Sequence, residues 1–264
     1  GCVLMKIFLL LAGLTVSASA IEIVAHRGFS ARAPENTLAA FELSWKSQID
    51  TCELDVHLSS DGEAIVIHDK DTFRTTGVRK DVARSTAAEL CKLDAGSWKG
   101  SEWKQEKIPT LTQALATLPA GKQRFFIEIK CGPEIVPALQ KILEPMRARA
   151  SQLAIIAFKR EAAAAAKKAL PWIPVYRLAS GKTKEKKPAD LTQLIADTKS
   201  DGLDGLDLGA DWPWTEAMVK QVRDAGLDVY VWTINKPADV QRYKKLKVDG
   251  ITTDDPLMVR EALK

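Results

Sequence analysis

Short apolar runs rich in β-branched residues alternate with amphipathic helical patterns along most of the chain. The runs predict strands at residues 21–26, 124–130, 153–158, 175–178, 205–208, 228–233 and 250–253, and two more strands flank a polar turn at residues 59–62. Periodic patterns between them predict helices at residues 34–46, 134–149, 161–169, 190–199, 215–225, 238–246 and 257–263. Residues 70–107 show neither pattern and are interpreted as an irregular insertion.

The stretch 51–69 predicts a β-hairpin. Its turn, Ser59-Ser60-Asp61-Gly62, contains an Asp-Gly pair, which tolerates the positive φ values of tight turns. Because alternate side chains of a strand share a face, Glu53 and Asp55 point the same way. Folding back at the turn brings His68 level with these two acids. We therefore expect two carboxylates and an imidazole to converge at one place.

The order of elements predicts an α/β protein with a (β/α)8 TIM barrel. Strands that alternate with helices pair in parallel through right-handed crossovers. The connection between the second and third strands is too short for a crossover, so the third is expected to be the return of the hairpin. The eight remaining strands are the number that closes such a barrel. An open doubly wound sheet is the second interpretation, and the lack of a glycine-rich phosphate loop after the first strand argues against it.

Three of the predicted parallel strands carry ionisable side chains near their C-terminal ends. They are His26 and Arg27 on the first strand, Glu53 and Asp55 on the second, and Glu128 and Lys130 on the next parallel one. Active sites of TIM barrels lie at the C-terminal ends of the strands. We therefore expect these side chains to meet, together with His68, around one mouth of the barrel.

The residue types in this group predict a chemistry. Carboxylates without His or Cys at metal-ligand spacing favour one hard divalent cation, Ca²⁺ or Mg²⁺, over zinc. Arg27 and Lys130 offer donors to an anion. His26 and His68 titrate near neutrality and are suited to moving protons. A cation, basic groups and two proton carriers together predict phosphoester cleavage, with one histidine as base toward the attacking oxygen and the other as acid toward the leaving alcohol.

A series of short motifs runs through most of the chain. They are His26-Arg27-Gly28, Pro34-Glu35-Asn36-Thr37, Glu53-Leu54-Asp55-Val56, His68-Asp69, Asp94-Ala95-Gly96-Ser97-Trp98, Ile108-Pro109-Thr110-Leu111, Glu128-Ile129-Lys130, Val231-Trp232-Thr233-Ile234-Asn235 and Asp249-Gly250-Ile251-Thr252-Thr253-Asp254. In this order and spacing they closely resemble the motifs of the glycerophosphodiester phosphodiesterases, in the phospholipase-C-like phosphodiesterase superfamily.

The resemblance implies a metal-dependent TIM-barrel hydrolase that releases glycerol 3-phosphate and an alcohol from a small glycerophosphodiester. Position by position, it implies a set of roles: metal ligands Glu53, Asp55 and Glu128, an acid/base pair His26 and His68, and phosphate-binding groups Arg27 and Lys130. It also implies that Trp232 lies beside the glycerol moiety and that residues 70–107 are the family's small insertion. The attacking group is either water or the substrate's own glycerol hydroxyl, which would give a cyclic phosphate first.

Two other functions fit parts of the pattern. One is a phospholipase of type C or D that cleaves a lysolipid or an inositol lipid on the same barrel, and it would need an apolar rim at the mouth. The other is a non-catalytic phosphoester-binding protein, against which the presence of both His26 and His68 argues.

Several residues also have a structural interpretation. The three acids could form a salt-bridge network with Arg27 and Lys130, although three acids against two bases leave one acid to satisfy. Strict alternation puts His57 on the face of the acids, where it is either a third ligand or proton carrier or a residue of the hairpin mouth. A helix-start role is the first interpretation of Glu35 and Asn36, and orientation of the loop after Arg27 is the second.

Two further features are expected to be peripheral. Asp69 and Asp254 are interpreted as turn or cap residues, with support of the site as the second interpretation. The basic loop 181–187 is interpreted as a solvated surface segment, with a weak attraction to anionic lipid, and so a contact with a membrane, as the alternative.

Residues 1–20 predict a secretory signal that is cleaved after Ala20. Met5-Lys6 is followed by an apolar run at 7–16 and by Ser17-Ala18-Ser19-Ala20, the small residues that signal peptidases require. The apolar run is short for a membrane span, and an uncleaved anchor is the alternative. We expect one mature domain, residues 21–264, in a secreted or periplasmic location. Because the net charge is only +4, nucleic acid is not an expected partner.

Overall fold

In the computed structural model, which describes residues 20–264, nine strands form one sheet. They are β1 (Glu22–Ala25), β2 (Thr51–Leu58), β3 (Ala64–Val66), β4 (Arg124–Ile129), β5 (Leu153–Ala157), β6 (Val175–Ala179), β7 (Gly205–Gly209), β8 (Asp228–Trp232) and β9 (Gly250–Thr253). All neighbours are parallel except β3, which pairs antiparallel with β2. The sheet closes because β1 pairs with both β2 and β9. The predicted TIM barrel with a hairpin after its second strand is thus confirmed.

Helices follow most strands and cover the outside of the barrel. In the described part of the chain they are α1 (Leu38–Lys46), α2 (Phe73–Thr76), α3 (Ala87–Leu90), α4 (Leu111–Ala116), α5 (Val136–Leu143), α6 (Arg160–Ala169), α7 (Leu191–Ser200), α8 (Glu216–Asp224), α9 (Pro237–Leu246) and α10 (Pro256–Ala262). The outward faces of the strands pack on these helices, and the inward faces form a separate cluster inside the barrel.

Two predicted helices differ from the structure by more than one residue at an end. α1 begins at Leu38 rather than at Pro34, because Thr37 is its N-cap and accepts a hydrogen bond from the amide of Ala40. α5 ends at Leu143, one residue before Glu144-Pro145, since proline cannot donate the next backbone hydrogen bond. The segments on both sides of α5 are 3₁₀ turns.

The insertion packs on the hairpin through a small apolar cluster of its own. Residues 70–107 contain α2, α3 and two 3₁₀ turns, at Val82–Arg84 and Ser101–Trp103. The buried members of the cluster are Ile65, Ile67, Val82, Leu90, Ala95 and Ile108. The insertion is therefore anchored on β3 and on the residues that lead to His68.

A layer of large side chains fills the N-terminal end of the barrel. The rings of Tyr176 and Tyr230 pack on Phe126, with centroids 5.6 and 5.2 Å away. Below them, Glu22 accepts a hydrogen bond of 2.9 Å from the Tyr230 hydroxyl and pairs with Arg124 at 3.5 Å. Among residues 20–264, this layer closes the N-terminal end of the barrel, so the interior opens toward the C-terminal end.

The predicted signal segment lies outside the described residues except for Ala20, and both its cleavage and the mature domain 21–264 stay predictions. Within residues 20–264, we find no helix with the length and apolar character that crossing a membrane requires.

Candidate active site

Glu53, Asp55 and Glu128 meet at the C-terminal mouth of the barrel, as the strand pattern predicted. Asp55 on β2 is the register partner of Glu128 on β4. One carboxylate oxygen from each of the three residues lies within 4.8 Å of the others. All three side chains are buried.

Two oxygens of this acidic group have no hydrogen-bond partner. They are Glu53 Oε1 and Asp55 Oδ1, both fully buried. A buried carboxylate oxygen without a partner is costly, so such atoms point to a ligand. Oxygen donors alone, converging from three carboxylates, fit a hard divalent cation such as Ca²⁺ or Mg²⁺. Glu53, Asp55 and Glu128 are therefore the residues that could hold a metal.

Two basic side chains border the acids. Lys130 Nζ lies 2.7 Å from Glu128 Oε1 and 3.5 Å from Asp55 Oδ1. Arg27 Nε lies 3.3 Å from Asp55 Oδ2. A salt-bridge network thus exists, but it leaves Glu53 Oε1 unpaired and the group with one excess negative charge when all its members are ionised.

The electrostatics of the three acids differ. Burial, reinforced by the charges of Asp55 and Glu128, raises the pKa of Glu53 well above its usual value. Burial and the charge of Asp55 likewise raise the pKa of Glu128 to about 7. Burial also opposes ionisation of Asp55, but the nearby charges of Lys130 and Arg27 lower its pKa. Asp55 is thus the acid that carries its charge most readily.

The turn after β1 aims the backbone at the acids. Arg27 has a left-handed backbone, with φ of +55°, and its amide donates to Glu53 Oε2 at 2.8 Å. Gly28 follows with φ of +76°, and a Cβ there would lie 2.7–2.9 Å from atoms of Ala40. Only glycine fits this position, because it combines a positive φ with close packing on α1.

Each predicted catalytic histidine is held by a carboxylate. His26 Nδ1 lies 2.6 Å from Asp254 Oδ1, and His68 Nδ1 lies 2.7 Å from Asp69 Oδ1. Because a carboxylate only accepts hydrogen bonds, Nδ1 carries the proton in each neutral ring and Nε2 keeps its lone pair. Asp69 and Asp254, interpreted first as turn or cap residues, are thus the partners that orient the two imidazoles.

His57 has a different surrounding. Its Nε2 lies 3.1 Å from the backbone carbonyl of His68, and burial lowers its pKa. It is absent from the acidic group that the described residues form. Its contact is therefore with the backbone of the hairpin.

The site surrounds a cavity of about 140 Å³. One side is ionic and includes His26, His68, Glu53 and Glu128, whereas the other is formed mainly by apolar side chains. These are Ile156, Phe158, Leu178 and Trp232. Trp232 packs edge-on against Phe158, with centroids 5.5 Å apart, and donates from Nε1 to the backbone carbonyl of Asp207 at 3.1 Å.

Asp207 also lines this cavity, although it was not among the predicted site residues. In such barrels the inward side chains of alternate strands form layers of four. The register places Asp207 in the layer of Glu53, Ile156 and Thr252, on the strand opposite Glu53. It is 1% exposed, and its Oδ1 has no hydrogen-bond partner. The signal was available, because it is the single acid within the apolar strand Gly205–Gly209.

Residues before α1 also support the site. Asn36, with φ of +57°, donates from Nδ2 to Asp55 Oδ2 at 2.7 Å, and Glu35 accepts from Arg27 Nη1 at 2.9 Å. Their helix-start interpretation is wrong, because both residues precede the N-cap Thr37 and point at the site. The basic loop, by contrast, is exposed at residues 182–187, as its interpretation as a surface segment predicts.

Comparison with known proteins gives one consistent family. The profile of the Glycerophosphoryl diester phosphodiesterase family matches residues 26–258. The chain is 30% identical over 257 residues to a glycerophosphodiester phosphodiesterase of Caldanaerobacter subterraneus subsp. tengcongensis, covering 89% of this chain and 94% of that protein. It is 29% identical over 263 residues to one of Bacillus subtilis, covering 92% and 87%.

A solved structure is similar over the same span. It is an Oleispira antarctica phosphodiesterase in complex with the product sn-glycerol-3-phosphate, with a TM-score of 0.83 and 29% identity. The similarity covers 92% of this chain and 96% of that one.

Proposed function

The chain belongs to the glycerophosphoryl diester phosphodiesterase family, and from that membership we propose that it hydrolyses glycerophosphodiesters to glycerol 3-phosphate and an alcohol. The observation that carries the proposal is the convergence of three carboxylates, two basic side chains and two carboxylate-held histidines around one cavity. The product complex of the similar Oleispira antarctica enzyme supports the substrate class.

Arg27 and Lys130 are the groups that would bind the phosphate. Both line the cavity and both are held by carboxylates, so their positions are fixed before a substrate arrives. The nearby acids raise the pKa of Lys130, although burial alone would lower it, so its ammonium stays charged. Fixed charges of this kind stabilise the developing charge of a phosphoryl transition state.

Glu53, Asp55 and Glu128 would hold one divalent cation, Ca²⁺ or Mg²⁺. Such an ion supplies positive charge next to the phosphate oxygens. It would also coordinate Glu53 Oε1 and Asp55 Oδ1, the two buried oxygens that have no hydrogen bond.

His26 and His68 would move the protons. In each ring the carboxylate partner holds the proton on Nδ1, so Nε2 is the atom that can accept one. One Nε2 takes the proton of the attacking hydroxyl or water, and the other ring, protonated at Nε2, gives a proton to the leaving oxygen. Burial lowers the pKa of His68, and the hydrogen bond to Asp69 opposes that shift.

The size of the cavity favours a small polyol as the part of the substrate that binds inside the barrel. A volume of about 140 Å³ bordered by Trp232 and Leu178 suits a glycerol moiety and is small for an acyl chain. The volume favours a deacylated substrate, whereas Phe158 and Trp232 give the cavity the apolar border that cleavage of a lysolipid or an inositol lipid would need.

The test is a chelation and readdition assay that follows glycerol 3-phosphate release from glycerophosphocholine and glycerophosphoethanolamine, with lysophosphatidylcholine in parallel. We expect activity on the deacylated substrates, loss with a chelator and recovery with Ca²⁺ or Mg²⁺. Turnover of the lysolipid alone would support the phospholipase function, and binding without cleavage would support a non-catalytic protein. Early detection of cyclic glycerophosphate would identify the glycerol hydroxyl as the attacking group.

Histidine variants test the roles of the two imidazoles. We expect His26→Ala and His68→Ala each to lower kcat by about 10²–10⁴-fold, the range of general acid–base catalysis. His57→Ala is the matched control, because it removes an imidazole of the same hairpin that contacts a backbone carbonyl. Full activity of His68→Ala would overturn the mechanism.

We also propose that the chain acts outside the cytoplasm, as the signal pattern of residues 1–20 indicates. Expression with residues 1–20 and N-terminal sequencing of the exported protein tests this. We expect an exported chain that starts at Ile21. A chain that stays in the cytoplasm and still carries residues 1–20 would contradict the proposal.

A further inference from the structure

Arg74 brings a guanidinium from the insertion to the edge of the site. It lies in the short helix α2 and is 44% exposed. Its Nη1 and Nη2 atoms donate to the two oxygens of Glu35, at 2.9 and 2.7 Å. Its Nε donates to Asp69 Oδ2 at 2.7 Å. One side chain thus holds two carboxylates from different parts of the chain, one before α1 and one after the hairpin.

Each of these carboxylates also binds a residue of the proposed mechanism. Glu35 Oε1 accepts from Arg27 Nη1 at 2.9 Å, and Asp69 Oδ1 lies 2.7 Å from His68 Nδ1. A continuous series of hydrogen bonds therefore runs from Arg27 through Glu35, Arg74 and Asp69 to His68.

We infer that Arg74 is a positioning residue that fixes the proton-transfer group His68 and the phosphate-binding group Arg27 relative to each other. The inference rests on the proposed function. A guanidinium is planar and presents its donors in a rigid fork, so three bonds to two carboxylates define the orientation of both. Among the side chains of residues 20–264, the partner left to Asp69 without Arg74 is His68, and the partner left to Glu35 is Arg27.

The charges of this series support the assignment. Burial alone would raise the pKa of Glu35, but the hydrogen bonds and charges of Arg74 and Arg27 lower it. Burial opposes ionisation of Asp69 too, yet hydrogen bonds from Arg74 and His68 lower its pKa to about 2. Two guanidinium groups thus face two carboxylates, and Arg74 is a charge partner of both acids.

The test compares Arg74→Ala with Arg79→Ala. Arg79 lies in the same insertion, but its guanidinium pairs with Asp71 at 2.7 Å and stacks on Phe73 rather than binding Glu35 or Asp69, so it is a matched control. We expect Arg74→Ala to lower kcat/KM on glycerophosphocholine at least tenfold and Arg79→Ala to change it less than twofold. Arg74→Lys keeps the positive charge but not the planar guanidinium. We expect its kcat/KM to lie between those of Arg74→Ala and the wild type.

Variants of Asp69 and Glu35 separate the effect of Arg74 on His68 from its effect on Arg27. We expect Asp69→Asn to act mainly on kcat, through His68, and Glu35→Gln mainly on KM, through Arg27. Because Arg74 acts through both, Arg74→Ala should change both constants, and adding it to Asp69→Asn should lower kcat little further. Equal activity of the Arg74→Ala and Arg79→Ala variants, or effects of Arg74→Ala and Asp69→Asn that are additive in kcat, would overturn the inference.

An NMR measurement keeps this inference separate from the proposed function. Long-range ¹H–¹⁵N spectra report the tautomer of His68 without any turnover. We expect the Nδ1–H tautomer to dominate in the wild type and in Arg79→Ala and to decrease in Arg74→Ala. If the wild type hydrolyses no glycerophosphodiester, the proposed function fails, whereas an unchanged tautomer in Arg74→Ala contradicts the positioning role itself.

Discussion

Asn36 and Asp55 bind each other at two points. Asn36 Nδ2 donates to the Asp55 carboxylate at 2.7 Å, and Asn36 Oδ1 accepts from the Asp55 backbone amide at 3.2 Å. Both residues are buried, so this pairing fixes which way the carboxylate of Asp55 faces. The loop before α1 therefore takes part in shaping the acidic group on β2.

We expect Asn36→Gly to weaken divalent-cation binding by about 10–100-fold, the usual effect of losing a group that orients a metal ligand. Glycine is chosen because Asn36 has φ of +57°, which glycine tolerates. Gln48→Gly is the control, since Gln48 has the same φ and is exposed. Calorimetric titration with Ca²⁺ and Mg²⁺ measures the effect, and equal affinities for the two variants would contradict it.

Cation binding should depend on pH because of Glu128. Its pKa of about 7 means that a proton competes with the cation below neutrality. We expect the affinity to fall roughly tenfold from pH 8 to pH 6, as protonation of one ligand requires. We also expect proton release on binding at pH 6, measured by titration in buffers of different ionisation enthalpy. Glu128→Gln should bind more weakly and with a smaller pH dependence, because burial also raises the pKa of the neighbouring Glu53. A wild-type affinity that is constant over this range would refute the role of Glu128.

Asp254 should contribute to kcat by orienting His26. Asp254→Asn keeps the shape of the side chain but no longer holds the proton on Nδ1, so we expect kcat to fall about 10–10³-fold with little change in KM. Asp255→Asn is the control, because Asp255 caps α10 and asparagine caps a helix equally well. Steady-state kinetics on glycerophosphocholine gives the comparison. Similar kcat values for the two variants would show that Asp254 does not act on His26.

The unpartnered Asp207 should make stability depend on pH. Burial, followed by the charge of Glu128, raises its pKa well above the usual value, so the folded state binds a proton that the unfolded state releases above about pH 4. The stability contributed by this proton is present below that pH and is lost as the pH rises. Asp207→Asn removes the dependence, so its gain in free energy of unfolding should be near zero at pH 4 and reach about 1–3 kcal/mol at pH 8.

Urea denaturation with chelator present measures this difference. Asp224→Asn is the control, because Asp224 is 62% exposed on α8. A difference between wild type and Asp207→Asn that does not grow with pH would contradict the assignment of a buried, protonated Asp207.

Local patterns were sufficient for the barrel and for the faces of its strands. Alternation alone put Glu53 with Asp55 and Glu128 with Lys130, and the short turn required the hairpin that carries His68. These predictions succeeded because strand period and loop length follow from backbone geometry.

Partners distant in sequence were beyond such patterns. His26 is separated by 228 positions from Asp254, and nothing in the local sequence distinguishes an acid that caps a helix from one that orients an imidazole. The start of α1 was predicted too early for a similar reason. Asn36 lies before the helix and binds Asp55, a strand residue 19 positions away. Asp207 is recognisable in the sequence as the single acid of an apolar strand, but its position opposite Glu53 follows from the closure of the barrel.

The layer of Phe126, Tyr176 and Tyr230 closes the N-terminal end of the barrel, so the interior is a pocket that is closed at its base. The substrate must enter, and the product that remains in the pocket must leave, through the same opening. The fragment retained in the pocket then excludes the next molecule until it departs, so the rate of clearing the pocket sets an upper bound on turnover.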